Sequence, residues 1–157
     1  MKPAKFNFAD SNFTGDSRPN LPTGIGADCW KPASIAEFSA EEIDGKVGFG
    51  ITNLNDEISA QIHVRDLGNL MPSRTYRVRL EYLTQNDAVG RVSVRKPGGS
   101  YTPINEIDLT STGGKWKTAT FDFVAPAGIK LDMQISSQTV GEGNRLTVHK
   151  VEILEAK

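Results

Sequence analysis

Six polar side chains with planar or ionic hydrogen-bonding groups lie on the polar side of three alternating segments. They are Gln61, His63, Arg77, Arg79, Glu81 and Gln134. Amide, imidazole, guanidinium and carboxylate groups together supply both donors and acceptors. If the three segments were neighbouring strands, these rows would form one polar field with Arg65, Asp132 and Ser136. Such a field could hydrogen-bond a polar ligand, and its arginines would suit an anionic one. An ordinary solvated sheet face has the same pattern.

Aromatic side chains could add a stacking surface, but the outward rows of this field contain none. Trp30, near the end of a long loop, and Tyr101, in a turn after Gly99, are the aromatic candidates for its rim. Trp30 could equally plug the end of a sandwich. Trp116 opens a predicted strand, and we assign it to the core.

The elements that must position these residues are short strands. In Ser73–Thr84, Tyr76, Val78, Leu80 and Tyr82 alternate with polar residues, which is typical of a strand buried on one face. Comparable alternation predicts strands over 5–8, 47–52, 58–65, 88–95, 104–109, 116–124, 129–136 and 145–154. About nine or ten strands with regular turn signals indicate an all-β fold. At this length a jelly-roll β-sandwich of two antiparallel sheets is favoured over an immunoglobulin type.

Local signals refine this pattern. Turn residues predict one hairpin around residues 53–56 and another around 141–144. Gly48 and Gly50 leave one strand face bare, which often marks a close approach to the backbone. A change of apolar phase at His149–Lys150 predicts a β-bulge. Residues 10–32 read as a loop, and Ser39–Glu42 hints at one helical turn.

Composition limits the function classes. The 157 residues fit a single domain spanning 1–157, and a net charge of −1 argues against a nucleic-acid-binding face. Cys29 is the one cysteine, so an internal disulfide and a thiolate metal cluster are excluded. No segment reads as a signal peptide or a membrane span. The protein is then either cytoplasmic or an excised, extracellular or periplasmic piece of a secreted protein.

Several motifs resemble carbohydrate-binding modules of the family 4, 9, 16 and 22 type. Leu70–Tyr76 followed by Leu80–Tyr82 resembles their entry to a central strand. Thr112–Trp116 leading to Phe121–Pro126 is similar to their "G-x-W…F…P" strand, and Leu131–Ile135 with Leu146–Leu154 to their closing pair. The similarity covers residues 45–155. Ser73 stands where the family usually has glycine, and His149 where it usually has aspartate.

The resemblance implies a non-catalytic module that binds a poly- or oligosaccharide on a concave sheet face and forms part of a larger multidomain protein. The eight candidate ligand-binding residues are Trp30, Gln61, His63, Arg77, Arg79, Glu81, Tyr101 and Gln134. No cofactor is expected. The family's structural calcium site does not carry over readily, because histidine is a poor ligand for this hard cation. Loop carboxylates at Asp10, Asp16 and Asp28 leave other calcium sites open.

Two alternatives stay open. One is an accessory β-sandwich that binds protein or spaces domains. The other is a small polysaccharide-cleaving enzyme, which would need two carboxylates facing each other across the substrate. Glu81 and Asp132 would meet that need only if their strands were neighbours. The two histidines are well separated in sequence, and no nucleophile or phosphate-loop motif is present. We therefore do not predict an enzyme.

Overall fold

The computed structural model describes residues 36–54, 60–64, 67, 69–96 and 103–156, and the backbone alone of 5–7 and 25–29. These residues form eleven β-strands, and no helix that could cross a membrane occurs among them. The strands are β1 (Lys5–Asn7), β2 (Ile25–Cys29), β3 (Ala36–Ile43), β4 (Lys46–Asn53), β5 (Ala60–Val64), β6 (Thr75–Thr84), β7 (Gly90–Arg95), β8 (Pro103–Leu109), β9 (Lys117–Val124), β10 (Asp132–Ser137) and β11 (Arg145–Glu155).

The strands form two antiparallel sheets. Sheet A has the order β3-β4-β11-β6-β9, with β1 also pairing with β11. Sheet B has the order β2-β5-β10-β7-β8. From β4 onward the chain moves back and forth between the sheets, and only β7 and β8 are consecutive strands of one sheet. The predicted all-β, two-sheet sandwich of jelly-roll type is confirmed.

The core lies between the sheets, and β6 supplies its centre in sheet A. Tyr76, Val78, Leu80 and Tyr82 are all buried, as the alternation predicts. Burying each such side chain contributes about 1.5–3 kcal/mol. The tyrosine hydroxyls stay hydrogen-bonded: that of Tyr76 accepts from the Met71 amide (2.9 Å), and that of Tyr82 donates to the Thr110 carbonyl (3.0 Å). These bonds remove the cost of burying the hydroxyls.

Both predicted hairpins are wrong. β4 lies in sheet A and β5 in sheet B, and β10 and β11 are divided in the same way. A turn does occur at 141–144, where the Asn144 amide donates to the Gly141 carbonyl (3.2 Å). Turn residues reverse the chain, but they do not decide whether the next strand pairs beside the previous one or packs across the core.

Two segments differ from the local predictions. The hinted helical turn lies inside β3, where Ala36 and Phe38 are buried and Glu37 is exposed. This period-two pattern is typical of a strand, and pairing with β4 overrides the weak helical signal. The predicted loop over 10–32 contains β2, and the rest of that stretch lies outside the described residues.

The bare glycines of β4 mark close contacts, as predicted. On the outer face of sheet A the Arg145 guanidinium lies over Gly50, where an added Cβ would be 2.3 Å from its Nε. Arg145 donates to the Glu41 carboxylate (2.8 Å), the Thr52 hydroxyl (3.0 Å) and the Ser39 carbonyl (3.0 Å). One side chain of β11 thus reaches across β4 to β3.

We expect Gly50→Ala to lower the free energy of unfolding by about 1–3 kcal/mol, because the new methyl group would displace the guanidinium. Chemical denaturation measures this loss. In an Arg145→Ala background the same substitution should cost much less, because the space above Gly50 is then empty. Equal costs in the two backgrounds would contradict the proposed steric conflict.

Arg77 and Asp122 form a bidentate pair between β6 and β9 on the outer face of sheet A. Arg77 Nε and a terminal nitrogen lie 2.8 and 3.0 Å from the two Asp122 oxygens. The hydrogen bond from Arg77 lowers the pKa of Asp122 below its usual value, against a smaller opposing effect of desolvation. An aspartate with a lowered folded-state pKa stabilises the fold above its unfolded pKa, and that stabilisation is lost as the pH falls through the folded pKa.

We therefore expect the wild type to have a higher Tm than Asp122→Asn at pH 7. The difference in Tm should shrink as the pH falls and Asp122 becomes protonated. Arg77→Gln should reduce the pH dependence in the same way, because it removes the same pair. A difference in Tm that stays constant or widens as the pH falls would refute the stabilising role of this pair.

Candidate functional site

The structure divides the six candidates that lie in its described residues between two opposite faces. Gln61 and His63 of β5 and Gln134 of β10 point outward from sheet B. The other three, on β6, point outward from sheet A, on the far side of the core. The prediction of one continuous polar field is therefore wrong. Alternation correctly identifies which side chains face outward, but it carries no information about which sheet a strand joins.

Trp30 and Tyr101 lie outside the described residues, so their role stays a prediction. In the sequence, Trp30 directly follows β2, and Tyr101 lies two residues before the start of β8. Both strands belong to sheet B.

Strand register aligns two polar rows across all five strands of sheet B. The first row runs through Gly26, His63, Gln134, Ser93 and Glu106, and the second through Asp28, Gln61, Ser136, Arg91 and Asp108. In the first row the Gln134 amide nitrogen lies 3.5 Å from His63 Nδ1. Gln61, His63 and Gln134 are half-buried. Sheet B thus brings three of the candidates together at the centre of one face.

Charges on the sheet B face are paired along the rows. Arg95 and Asp132 form a buried bidentate pair between β7 and β10, with nitrogen–oxygen distances of 2.9 and 3.3 Å. Arg91 donates to Asp108 (3.0 Å) at the neighbouring strand. Both guanidinium groups in the described part of this face are therefore already matched by a carboxylate, which leaves the amides, the imidazole and the hydroxyls as its neutral part, and Arg65 lies outside the described residues.

The sheet A candidates are engaged in ion pairs with other strands of the same sheet. Arg77 pairs with Asp122, as described above, and Arg79 contacts Glu152 of β11 (2.7 Å). The carboxylate of Glu81 accepts from Lys46 of β4. The first two pairs join β6 to its neighbours β9 and β11, whereas the Lys46–Glu81 pair reaches across β11 from β4 to β6.

Trp116 lies on the outer face of sheet A, and its assignment to the core is wrong. Its indole is half-buried and lies over Gly48, with Cη2 3.2 Å from where a Cβ would be. Nε1 donates to the Ile43 carbonyl (2.9 Å), and the ring meets His149 edge-on at 5.7 Å between centroids. Trp116 has the same parity as Thr118 and the other outward residues of β9. That parity, together with the bare Gly48, was the signal in the sequence.

The predicted bulge in β11 places His149 against the Trp116 ring. Register shifts between Val148 and Lys150, so both His149 and Lys150 reach the outer side of sheet A. The His149 ring is held by the Val47 carbonyl, 2.6 Å from Nδ1. His149 therefore supports Trp116.

A pocket of about 140 Å³ opens beside Trp116 on the same face. Its lining consists of Arg79, Glu81, Thr118, Lys150 and Glu152. Glu152 lies between the two cations, 2.7 Å from Arg79 and 2.9 Å from Lys150. Lys46 connects the pocket to the indole, since its Nζ pairs with Glu81 and lies 5.9 Å from the Trp116 ring centroid.

The carboxylate pair considered for hydrolysis does not form. Glu81 lies in sheet A and Asp132 in sheet B, so the two cannot face a common substrate across one cleft. Within the described side chains, no three histidine, cysteine, aspartate or glutamate residues converge as metal ligands. The side chains of Asp10, Asp16 and Asp28 lie outside that part of the chain, so calcium at loop sites stays a prediction.

Comparison of sequences identifies no relative: no protein-family model matches the chain, and no curated protein does. Solved structures match over nearly the whole fold. Apo BiXyn10A CBM1 has 12% identity and a TM-score of 0.66, covering 99% of each chain. A carbohydrate-binding module of Cellvibrio mixtus lichenase 5A, in complex with cellotriose, has 16% identity and a TM-score of 0.55, covering 100% of both.

A third similar structure contains two modules. It is the CBM22-1–GH10 part of Clostridium thermocellum xylanase 10B complexed with xylohexaose, with 14% identity and a TM-score of 0.64. The match covers 99% of this chain and 29% of that one. Modules of families 4 and 61 also match. The chain therefore has the jelly-roll fold of carbohydrate-binding modules, as its sequence motifs imply.

Proposed function

We propose that this protein is a non-catalytic carbohydrate-binding module that holds a poly- or oligosaccharide across the outer face of sheet B. The observation that carries the proposal is the register that sets Gln61, His63 and Gln134 side by side on adjacent strands. A sugar chain presents hydroxyl groups on both edges of its rings, and planar amide and imidazole groups can hydrogen-bond them in pairs. The fold supports the proposal, since proteins with the same architecture include modules solved with cellotriose and xylohexaose.

The ligand we expect on sheet B is a neutral saccharide. Arg91 and Arg95 are each hydrogen-bonded to a carboxylate, so neither guanidinium is available to a ligand acid without breaking an existing pair. Breaking the buried Arg95–Asp132 pair would be especially costly, because it leaves an uncompensated charge. This changes the expectation of an anionic ligand, which rested on Arg77 and Arg79. Those residues lie on the other sheet.

Stacking against sugar rings would come from Trp30 and Tyr101, which adjoin strands of sheet B in the sequence. A ring face laid on an aromatic side chain buries apolar C–H groups while the hydroxyls remain free for the polar rows. We further propose that the module is appended to a larger secreted protein and does not itself cleave glycosidic bonds. The division of Glu81 and Asp132 between the sheets supports the non-catalytic part.

Titration calorimetry with cellotriose and xylohexaose, beside affinity electrophoresis in a panel of soluble neutral and acidic glycans, tests the proposal. We expect retardation by at least one neutral glycan. Gln61→Ala and Gln134→Ala should each weaken that binding about 3- to 10-fold, the usual loss for one hydrogen-bonding side chain. Thr120→Ala, an exposed position on sheet A, is the matched control and should leave binding unchanged.

Either of two results would overturn the sheet B site. One is a full panel of glycans that never retards the folded wild-type protein, which would favour an accessory domain. The other is glycan binding that survives the sheet B substitutions. Release of reducing ends from the same glycans, abolished by Glu81→Gln, would instead support an enzyme.

A further inference from the structure

The outer face of sheet A carries a second candidate site, formed by the pocket beside Trp116. We infer that this pocket binds the acidic group of a charged sugar residue, a carboxylate or a sulfate ester, with Arg79 and Lys150 as the binding cations. The site is separate from the proposed sheet B face, because the core lies between them. The charge argument rests on the pocket alone, whereas the choice of a sugar rests on the proposed function.

The balance of charge around the pocket favours an anion. The lining contains two cations, Arg79 and Lys150, and two carboxylates, Glu81 and Glu152, and Lys46 outside the lining pairs with Glu81. Glu152 is only 8% exposed and is shared by Arg79 and Lys150, one on each oxygen. One carboxylate thus serves two cations, which leaves an excess positive charge at the surface.

Exposure shows which groups a ligand can reach. The side chains of Arg79 and Lys150 are 48% and 30% exposed, whereas the carboxylate between them is buried. Arg79 meets Glu152 through one terminal nitrogen, and a guanidinium has five N–H donors in a planar fork. Its remaining donors can bind an incoming carboxylate or sulfate in the bidentate geometry that these anions favour.

The neighbours of the pocket suit a sugar ring attached to that acid. Glu81 and the Thr118 hydroxyl offer acceptors to ring hydroxyls. Trp116 does not line the pocket, but its ring lies 5.9 Å from Lys46 Nζ, which pairs with Glu81 of the lining. Gly48 and the β11 bulge hold the indole on this outer face. The aromatic surface missing from the predicted polar field is therefore present here.

Trp116 fluorescence provides the test, in a Trp30→Phe background that leaves Trp116 as the one tryptophan. Sodium glucuronate and glucose 6-sulfate are titrated beside glucose, the matched neutral sugar. We expect a saturable change with at least one acidic sugar and none with glucose. The change should weaken when NaCl rises from about 0.05 M to about 0.5 M, because salt screens exposed charges. The two acidic probes distinguish carboxylate from sulfate.

Variants assign the response to the pocket. Arg79→Gln and Lys150→Gln should each weaken it about tenfold or more, as expected for a hydrogen bond to a charged group. Gln134→Ala on sheet B should leave it unchanged, so failure of the sheet B site and failure of this pocket are separable. The inference is overturned if neither acidic sugar alters the fluorescence, if glucose acts equally, or if the response survives both pocket substitutions in proteins that melt as wild type does.

Discussion

Burial of the apolar row of β6 against sheet B is the interaction on which the rest of the sandwich depends. β6 pairs with β11 on one side and β9 on the other, and its four inward residues are all buried in the core. The same alternation forces its other row outward, where Arg77, Arg79 and Glu81 need partners. They find them on other strands of the sheet rather than along β6 itself. The charge pattern of sheet A is therefore a consequence of how its core row is packed.

The outer faces of the two sheets arrange their outward side chains differently. On sheet B, two polar rows run straight across five strands, and Arg91 and Arg95 are each matched by a carboxylate on the next strand. On sheet A, two bare glycines let large side chains lie flat on the sheet: Arg145 over Gly50 and Trp116 over Gly48. One face is thus a level array of hydrogen-bonding groups, while the other has an aromatic side chain and a charged pocket. This difference is why we assign them ligands of different charge.

Much of the fold follows from the sequence, since period-two alternation identifies most strands and their buried sides. The β6 row, the β11 bulge and the close approach at Gly48 and Gly50 were all predictable from local patterns. Pairing between distant strands was not, because the same turn residues serve a hairpin and a crossing between sheets. For that reason the predicted site combined residues of both sheets: Gln61, His63 and Gln134 lie on sheet B, whereas Arg77, Arg79 and Glu81 lie on sheet A. Trp116 was misassigned although its parity with Thr118 already indicated the outer face.

Ser73 illustrates how family patterns and local geometry can agree through different residues. It stands where related modules usually have glycine, and its φ of 63° lies in the left-handed region. The turn still closes, with the Arg74 amide donating to the Met71 carbonyl (3.3 Å). A non-glycine residue there carries a conformational cost of about 1–2 kcal/mol, and two backbone hydrogen bonds to Ala125, from the Ser73 amide (2.8 Å) and to the Arg74 carbonyl (3.0 Å), act against it.

The extra residue in β11 also dictates what this strand can tolerate in evolution. Before the bulge β11 pairs with β4, and after it the same edge pairs with β1. Exchanging His149 for another side chain would alter only the support of the indole. Removing the residue altogether would restore regular alternation, with Val148, Val151 and Ile153 still inward and Lys150 and Glu152 still outward, because the apolar row changes phase only at the bulge. Loss of this residue in a natural variant should therefore leave the core row in place and remove the support that His149 gives to Trp116.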